Sequence, residues 1–311
     1  MLQDPHLFWK NFRLGTELQI SGSFIYNALS TIDKMETFYF EEECFEFLYN
    51  TSVGLERLLK ICVILIEHDP MKEQKEFEKS LITHNHLKLA NRIRKETKLN
   101  FGIQHNKFLD VLNSFYKSTR YDRFNISSVY RPPQDQRQLI DFIAKELKVN
   151  IEVGLPMSTP ISEQMKSFIQ KIIGKISTEL YRVINEYARK SNIYTYELAY
   201  DSKAFKIFGI KQFDFKREKL MQREVFLFLM KNSPEDRVTA LINTLEPLEF
   251  GQLNSNMYLK SMFNEDNDRS VIDEMEHLYE ENNIGHTRVE NIMTLGSNTN
   301  FDYFDDFDEE D

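Results

Sequence analysis

The chain has only two cysteines, Cys44 and Cys62, in 311 residues. Neither has a second Cys or a His at metal-ligand spacing, and both lie in apolar stretches. A disulfide framework and a thiolate metal site are therefore set aside in favour of buried thiols in a reducing compartment. Glycine is also scarce, at ten residues, and the apolar pattern follows the helical period more often than strict alternation. No apolar run is long. Ile61–Ile66, which no other run exceeds, is far short of the roughly 20 residues that cross a bilayer. The opening lacks the basic-plus-apolar pattern of a secretory signal, because Asp4, His6, Lys10 and Arg13 interrupt it. Also missing are a Gly-Lys-Ser/Thr phosphate loop, Gly-x-Gly-x-x-Gly, His-Glu-x-x-His and Gly-x-Ser-x-Gly. The enzyme classes built on those motifs are set aside with them. A cytoplasmic protein is expected, with no membrane partner, no metal and no cofactor.

What is present is charge, unevenly spread. The formal net charge is −10, but the last eleven residues, Phe301 to Asp311, carry seven acids and no base. The rest of the chain holds 42 acids against 39 bases, a net of −3. The segment from His84 to Arg131 runs the other way, with ten Lys/Arg, three acids and a net of +7. Such a swing predicts a basic face and a detachable acidic tail.

The periodicity predicts a mainly α fold with at most a short strand element. Helices are expected over Gly15–Lys34, Glu41–His68, His84–Lys98, Asn106–Thr119, Gln134–Lys148 and Ser162–Ser191. Asp69-Pro70 ends the second, since proline disfavours helix in the residue before it. Ile193–Tyr200, alternating and β-branched or aromatic, is the one strand-like run. Two or three helices follow to about Phe263, then one near Ser270–Glu281. The expected domains are a bundle over 1–153, a helical continuation over 154–263, and an acidic, largely flexible region over 264–311.

The densest chemistry lies at the end of the fourth helix, in Phe115-Tyr116-Lys117-Ser118-Thr119-Arg120-Tyr121-Asp122-Arg123-Phe124-Asn125. This segment resembles the active-site segment of HEPN domains (higher eukaryotes and prokaryotes nucleotide-binding), in which an Arg is followed four to six residues later by a His. Here the His position holds Asn125, or Ser127 at the longest spacing. Two further stretches, Ser52-Val53-Gly54-Leu55-Glu56-Arg57-Leu58-Leu59-Lys60 and His84-Asn85-His86-Leu87-Lys88-Leu89, are similar to the family's second and third helices. The resemblance covers about residues 15–190. It implies a HEPN-like helical bundle, a homodimer, and an RNA or nucleotide partner in a defence or stress-response setting.

Metal-independent RNA cleavage needs a base for the 2′-hydroxyl, an acid for the leaving 5′-oxygen and cations on the phosphorane. Arg120 supplies a guanidinium suited to a phosphate. Asn125 donates a hydrogen bond but exchanges no proton near neutral pH. The primary expectation is thus an RNA- or nucleotide-binding protein, contacting phosphates through Arg120, Arg123, Lys88, Arg92 and Lys117 on one face. Glu56 is expected to face Arg120 and fix its rotamer. An alternative is a metal-independent endoribonuclease that recruits His84, His86 or His105. His84 and His86, read as a helix start, do not share a face as an i, i+4 pair would, so a metal site is not expected. A further alternative is a structural adaptor that docks a protein partner through the acidic tail. Lys203–Arg223, with Phe205, Phe208, Phe213 and Phe215 among its cations, reads as core more than as a stacking surface.

Overall fold

The computed structural model describes residues 4–154, 157–193, 198–200, 202–232, 237–263, 269–282 and 284–295. The fold is mainly α. Among the described residues the only β pairing is an isolated bridge between Thr37 and Pro160. Most of the strand-like run lies outside the described residues, at 194–197. Two compact units divide the chain, Met1–Phe215 and Lys216–Asp311. The expected boundary at 153/154 therefore falls inside the first unit.

The first unit contains α1 (Leu14–Lys34), α2 (Glu41–Glu67), α3 (Gln74–Leu81), α4 (His86–Glu96), α5 (Ile103–Lys117), α6 (Gln134–Leu147) and α7 (Glu163–Lys190). Each long apolar-periodic segment of the sequence has become a helix. α1 and α2 form an antiparallel hairpin across a short loop, with Leu18, Ile25, Ala28 and Leu29 of α1 fully buried. Ser21, thirteen residues before the end of α1, donates 2.8 Å to the carbonyl of Gly54, thirteen residues after the start of α2. Gly54 permits that approach. A Cβ there would lie 2.8 Å from Ile25 Cγ1 and 3.1 Å from Ile25 N.

Helix α2 is the centre of the unit. It packs against α1, α4, α5, α6 and α7, which is why its middle, Asn50 through Glu56, is buried without a break. A helix buried nearly all round needs apolar side chains on nearly every face, and Leu55, Leu58, Leu59, Cys62 and Leu65 provide them. Each such Leu contributes about 1.5–3 kcal/mol by leaving water. Both cysteines are free and buried, and burial pushes the Cys44 thiol up to about 12.

α7 belongs with this core. Cys62 Sγ lies 3.4 Å from the Leu180 carbonyl, Tyr187 Oη donates 2.9 Å to the Glu96 carbonyl, and Ile161 N donates 2.8 Å to the Glu36 carbonyl. Beyond it, residues 202–215 return to α1. Ala204 sits against Gly22, where a Cβ would meet it at 2.5 Å. Phe208 stacks on Tyr181 at 5.0 Å, and Phe215 meets the edge of Tyr26 at 5.1 Å. Lys203 and Lys206 lie over Tyr26. The phenylalanines here are packing residues, as the sequence reading favoured.

α3 was not expected, because Phe77 and Leu81 are its only large apolar residues. It is held by outside contacts. Phe77 packs on His68 at 5.5 Å, and Gln74 bonds His68 Nε2 at 3.0 Å. In the second unit, α8 (Lys216–Asn232), α9 (Arg237–Thr244), α10 (Ser255–Phe263), α11 (Arg269–Glu281) and α12 (His286–Thr294) follow. Glu274 of α11 is buried and accepts from Gly251 N, Gln252 N and Tyr258 Oη at 2.8–2.9 Å. The helix expected near Ser270–Glu281 is α11, tied down by Glu274, and α12 is a second one that the sequence reading did not name. No helix among the described residues is long and apolar enough to cross a membrane.

Candidate functional site

The middle of α2, the start of α4 and the end of α5 converge on one cluster. Glu56 is buried at 6% exposure, and both its carboxylate oxygens are used. Lys60, one turn on, donates to Oε1 at 2.6 Å, and His84 Nδ1 lies 2.9 Å from Oε2. The His84 ring packs on Tyr116 with centroids 4.4 Å apart. Arg120 sits over the same tyrosine, its Cζ 3.9 Å from the ring centre, and over Tyr121 at 4.4 Å. Its Nε is shielded from solvent, with no hydrogen-bond partner among the described residues. The chain of contact runs Lys60, Glu56, His84, Tyr116, Arg120.

Local sequence explains how these groups meet. Glu56 and Lys60 share a face of α2 by i, i+4 spacing. Tyr116 and Arg120 are also four apart, where α5 passes into a 3-10 turn over Thr119–Phe124. α4 begins at His86, not His84, because Asn85 is extended (φ −86, ψ 96) and caps the helix by accepting from Lys88 N at 2.9 Å. In extended backbone, residues two apart point the same way. His84 and His86 therefore both face α2, which corrects the expectation that they diverge. His86 Nε2 bonds the Ser52 carbonyl at 2.9 Å, and one turn on from Ser52, His84 meets Glu56.

The cluster borders a cleft of roughly 440 Å³ between α1, α2 and the N-terminal turn, lined by Trp9, Glu17, Arg57, Lys60, His84 and Tyr116 among others. Glu17 and Arg57 form an ion pair across it. Lys60 is paired with Glu56, whereas no carboxylate lies against Arg120 among the described residues. His84 keeps half its side chain exposed, at 48%. A neutral ring whose Nδ1–H donates to the carboxylate has Nε2 as its acceptor nitrogen.

The remaining expected residues lie elsewhere. Arg92 is held by Glu67 at 2.6 and 2.9 Å and by the Ser80 carbonyl at 3.1 Å. Arg123 is held by buried Asp135 at 2.7 Å and by Glu41 at 3.2 Å. Glu41 and Glu67 are the first and last residues of α2, about 39 Å apart at 1.5 Å per residue. Arg92 and Arg123 are clamps at opposite ends of one helix, so the single basic face is not formed. Lys88 and Lys117 are exposed. Asn125 is an exposed turn residue whose N–H donates to the Asp122 carbonyl at 2.9 Å, and no hydrogen bond joins it to Arg120. Glu56 does not touch Arg120 directly; His84 and Tyr116 stand between.

Two of the three candidate histidines drop out. His86 is fully buried, and desolvation lowers its pKa despite the Ser52 bond. His105 starts α5, about 16 Å along the helix from Tyr116, and burial followed by Lys175 lowers its pKa. Tyr116 was overlooked. Its spacing to Arg120 was the available signal. Among the described residues no cluster of His, Cys, Asp and Glu could hold a metal ion. No family model, curated protein or solved structure matches the chain.

Proposed function

We propose that the chain binds RNA or a nucleotide by its phosphate at the Glu56–His84–Tyr116–Arg120 cluster, in line with its resemblance to HEPN domains. The observation that carries this reading is Arg120, a guanidinium with no carboxylate partner among the described residues, held over Tyr116 beside a cleft. A phosphate would pair with the guanidinium, against which no carboxylate lies among the described residues. Phosphate contacts release counterions, so retention on total RNA should weaken steeply as salt rises. Arg120→Ala should bind less tightly with a shallower salt slope. Binding by the variant that equals wild type at every salt concentration would overturn this assignment.

A second reading, metal-independent RNA cleavage, is favoured by the Glu56–His84 bond. A carboxylate holding Nδ1–H leaves Nε2 oriented to take the 2′-hydroxyl proton as that oxygen attacks phosphorus. Arg120 would stabilise the phosphorane, and the imidazolium would return its proton to the departing 5′-oxygen. Incubation with total RNA in EDTA separates the two readings. Products ending in a 2′,3′-cyclic phosphate, lost in His84→Ala, support cleavage; intact RNA that stays bound supports binding alone.

A further inference from the structure

Between α5 and α6, five large apolar side chains stand in solvent within ten residues. Tyr121 is 53% exposed, Phe124 85%, Ile126 91%, Val129 66% and Tyr130 99%. The backbone explains why. It is taken up in consecutive tight turns, with Tyr121 N bonded to the Ser118 carbonyl, Asn125 N to Asp122, Ser128 N to Asn125 and Arg131 N to Ser128. Ser128 Oγ also donates to the Asp122 and Asn125 carbonyls. Thr119 and Ser128 are the buried residues of the two 3-10 turns, and Arg123 fastens them to Asp135 and Glu41. A segment rising about 2 Å per residue and pinned on its small and polar side turns its rings outward. Such a concentration of exposed apolar side chains marks a binding surface.

Charge selects the occupant. From Lys117 to Arg131 there are four cations and one acid, Asp122. Arg123 is neutralised by its clamp, but no carboxylate lies against Lys117, Arg120 or Arg131 among the described residues. Arg120 is already stacked over Tyr121, which fixes a cation at the edge of the rings. Phe124 and Tyr130 have no ring or cation partner among the described residues. Rings beside unpaired cations match a polyanion that carries its own planar groups.

We propose that Tyr121, Phe124 and Tyr130 form a stacking platform for the unpaired bases of single-stranded RNA, whose backbone passes to Arg120. This rests on the RNA-binding reading above and specifies its substrate, since duplex RNA keeps its base faces covered. The test compares a short unstructured RNA with the same strand in a duplex, across a salt series. Its proteins are the full chain, Arg120→Ala, and two triple variants, one converting Tyr121, Phe124 and Tyr130 to Leu, the other to Trp.

The Leu variant should lose about tenfold or more in affinity for the single strand. Its salt slope should be unchanged, because no charge is removed, and it should lose far less affinity for the duplex than for the single strand. The Trp variant should keep single-strand binding. Arg120→Ala should lose affinity together with about 0.7 of slope per lost phosphate contact. All the rings are exposed, so melting temperatures should be equal. A Leu variant that binds the single strand as tightly as wild type, while Arg120→Ala is weakened, overturns the platform and leaves the phosphate site standing. Wild type that retains no RNA overturns both. A Leu variant that binds RNA normally but changes sedimentation identifies the patch as a contact between copies and overturns the stacking assignment.

Discussion

Glu56 and His84 were both legible as candidates, yet the bond between them was not. Their contact spans 28 residues and depends on Asn85 being extended, which sequence spacing misread as helix. If the site cleaves RNA, His84→Ala should lower the rate by about 10²–10⁴, and Glu56→Gln should lower it in the same direction by freeing the imidazole from its fixed tautomer. Equal rates for Glu56→Gln and wild type would show that the carboxylate merely holds Lys60. His86 has a different consequence. Desolvation is the chief cause holding its imidazole below the ordinary histidine range, with His84 and Lys60 adding and the Ser52 carbonyl and Glu56 opposing. The unfolded chain takes up a proton near pH 6.5 that the folded chain resists. Stability should therefore be full above that pH and fall as acidification carries it down through the lowered folded value. His68 and His105 are shifted the same way. Urea unfolding on both sides of pH 6.5 should show this loss, and His86→Gln should reduce it; a pH-independent midpoint would contradict the assignment.

Helix existence was readable because each long helix repeats its apolar residues at the helical period. The α2 limits shift by one residue, from an expected His68 to Glu67. What periodicity missed are elements whose stability comes from elsewhere: α3, clamped by Arg92 and His68, and the 3-10 turns after α5, fastened by Arg123. The expected basic face failed at the same scale. Net charge counts cations without showing that Arg92 and Arg123 are spent on Glu67, Glu41 and Asp135. The α1–α2 seam is the sharpest test of the packing. Gly54→Ala would press a methyl into Ile25 and should cost about 1–3 kcal/mol, read as a lowered melting temperature. Leu58→Asp, at a fully buried position, should exceed about 4 kcal/mol and abolish the cooperative transition. An unaltered melting temperature in either variant would contradict the seam.

Across the whole molecule, the charge balance places seven acids in the last eleven residues of a chain whose candidate RNA contacts are basic. A tethered polyanion competes at high effective concentration. Removal of residues 300–311 should therefore tighten RNA binding at low salt, with the gain fading as salt screens the exposed charges. Superimposable curves for full-length and truncated protein at low salt would rule out such competition. The central position of α2 has a further consequence for how this site moves. Amide protons at the middle of a helix enclosed by five others exchange with solvent only when the whole unit unfolds, whereas those of a turn lying on the outside exchange through local opening. Hydrogen exchange should therefore place Glu56 and Lys60 on the slow part and Arg120 on the fast part. On that expectation the site would have a fixed floor in α2, and any adjustment to a ligand would fall to the outer turn that carries Arg120.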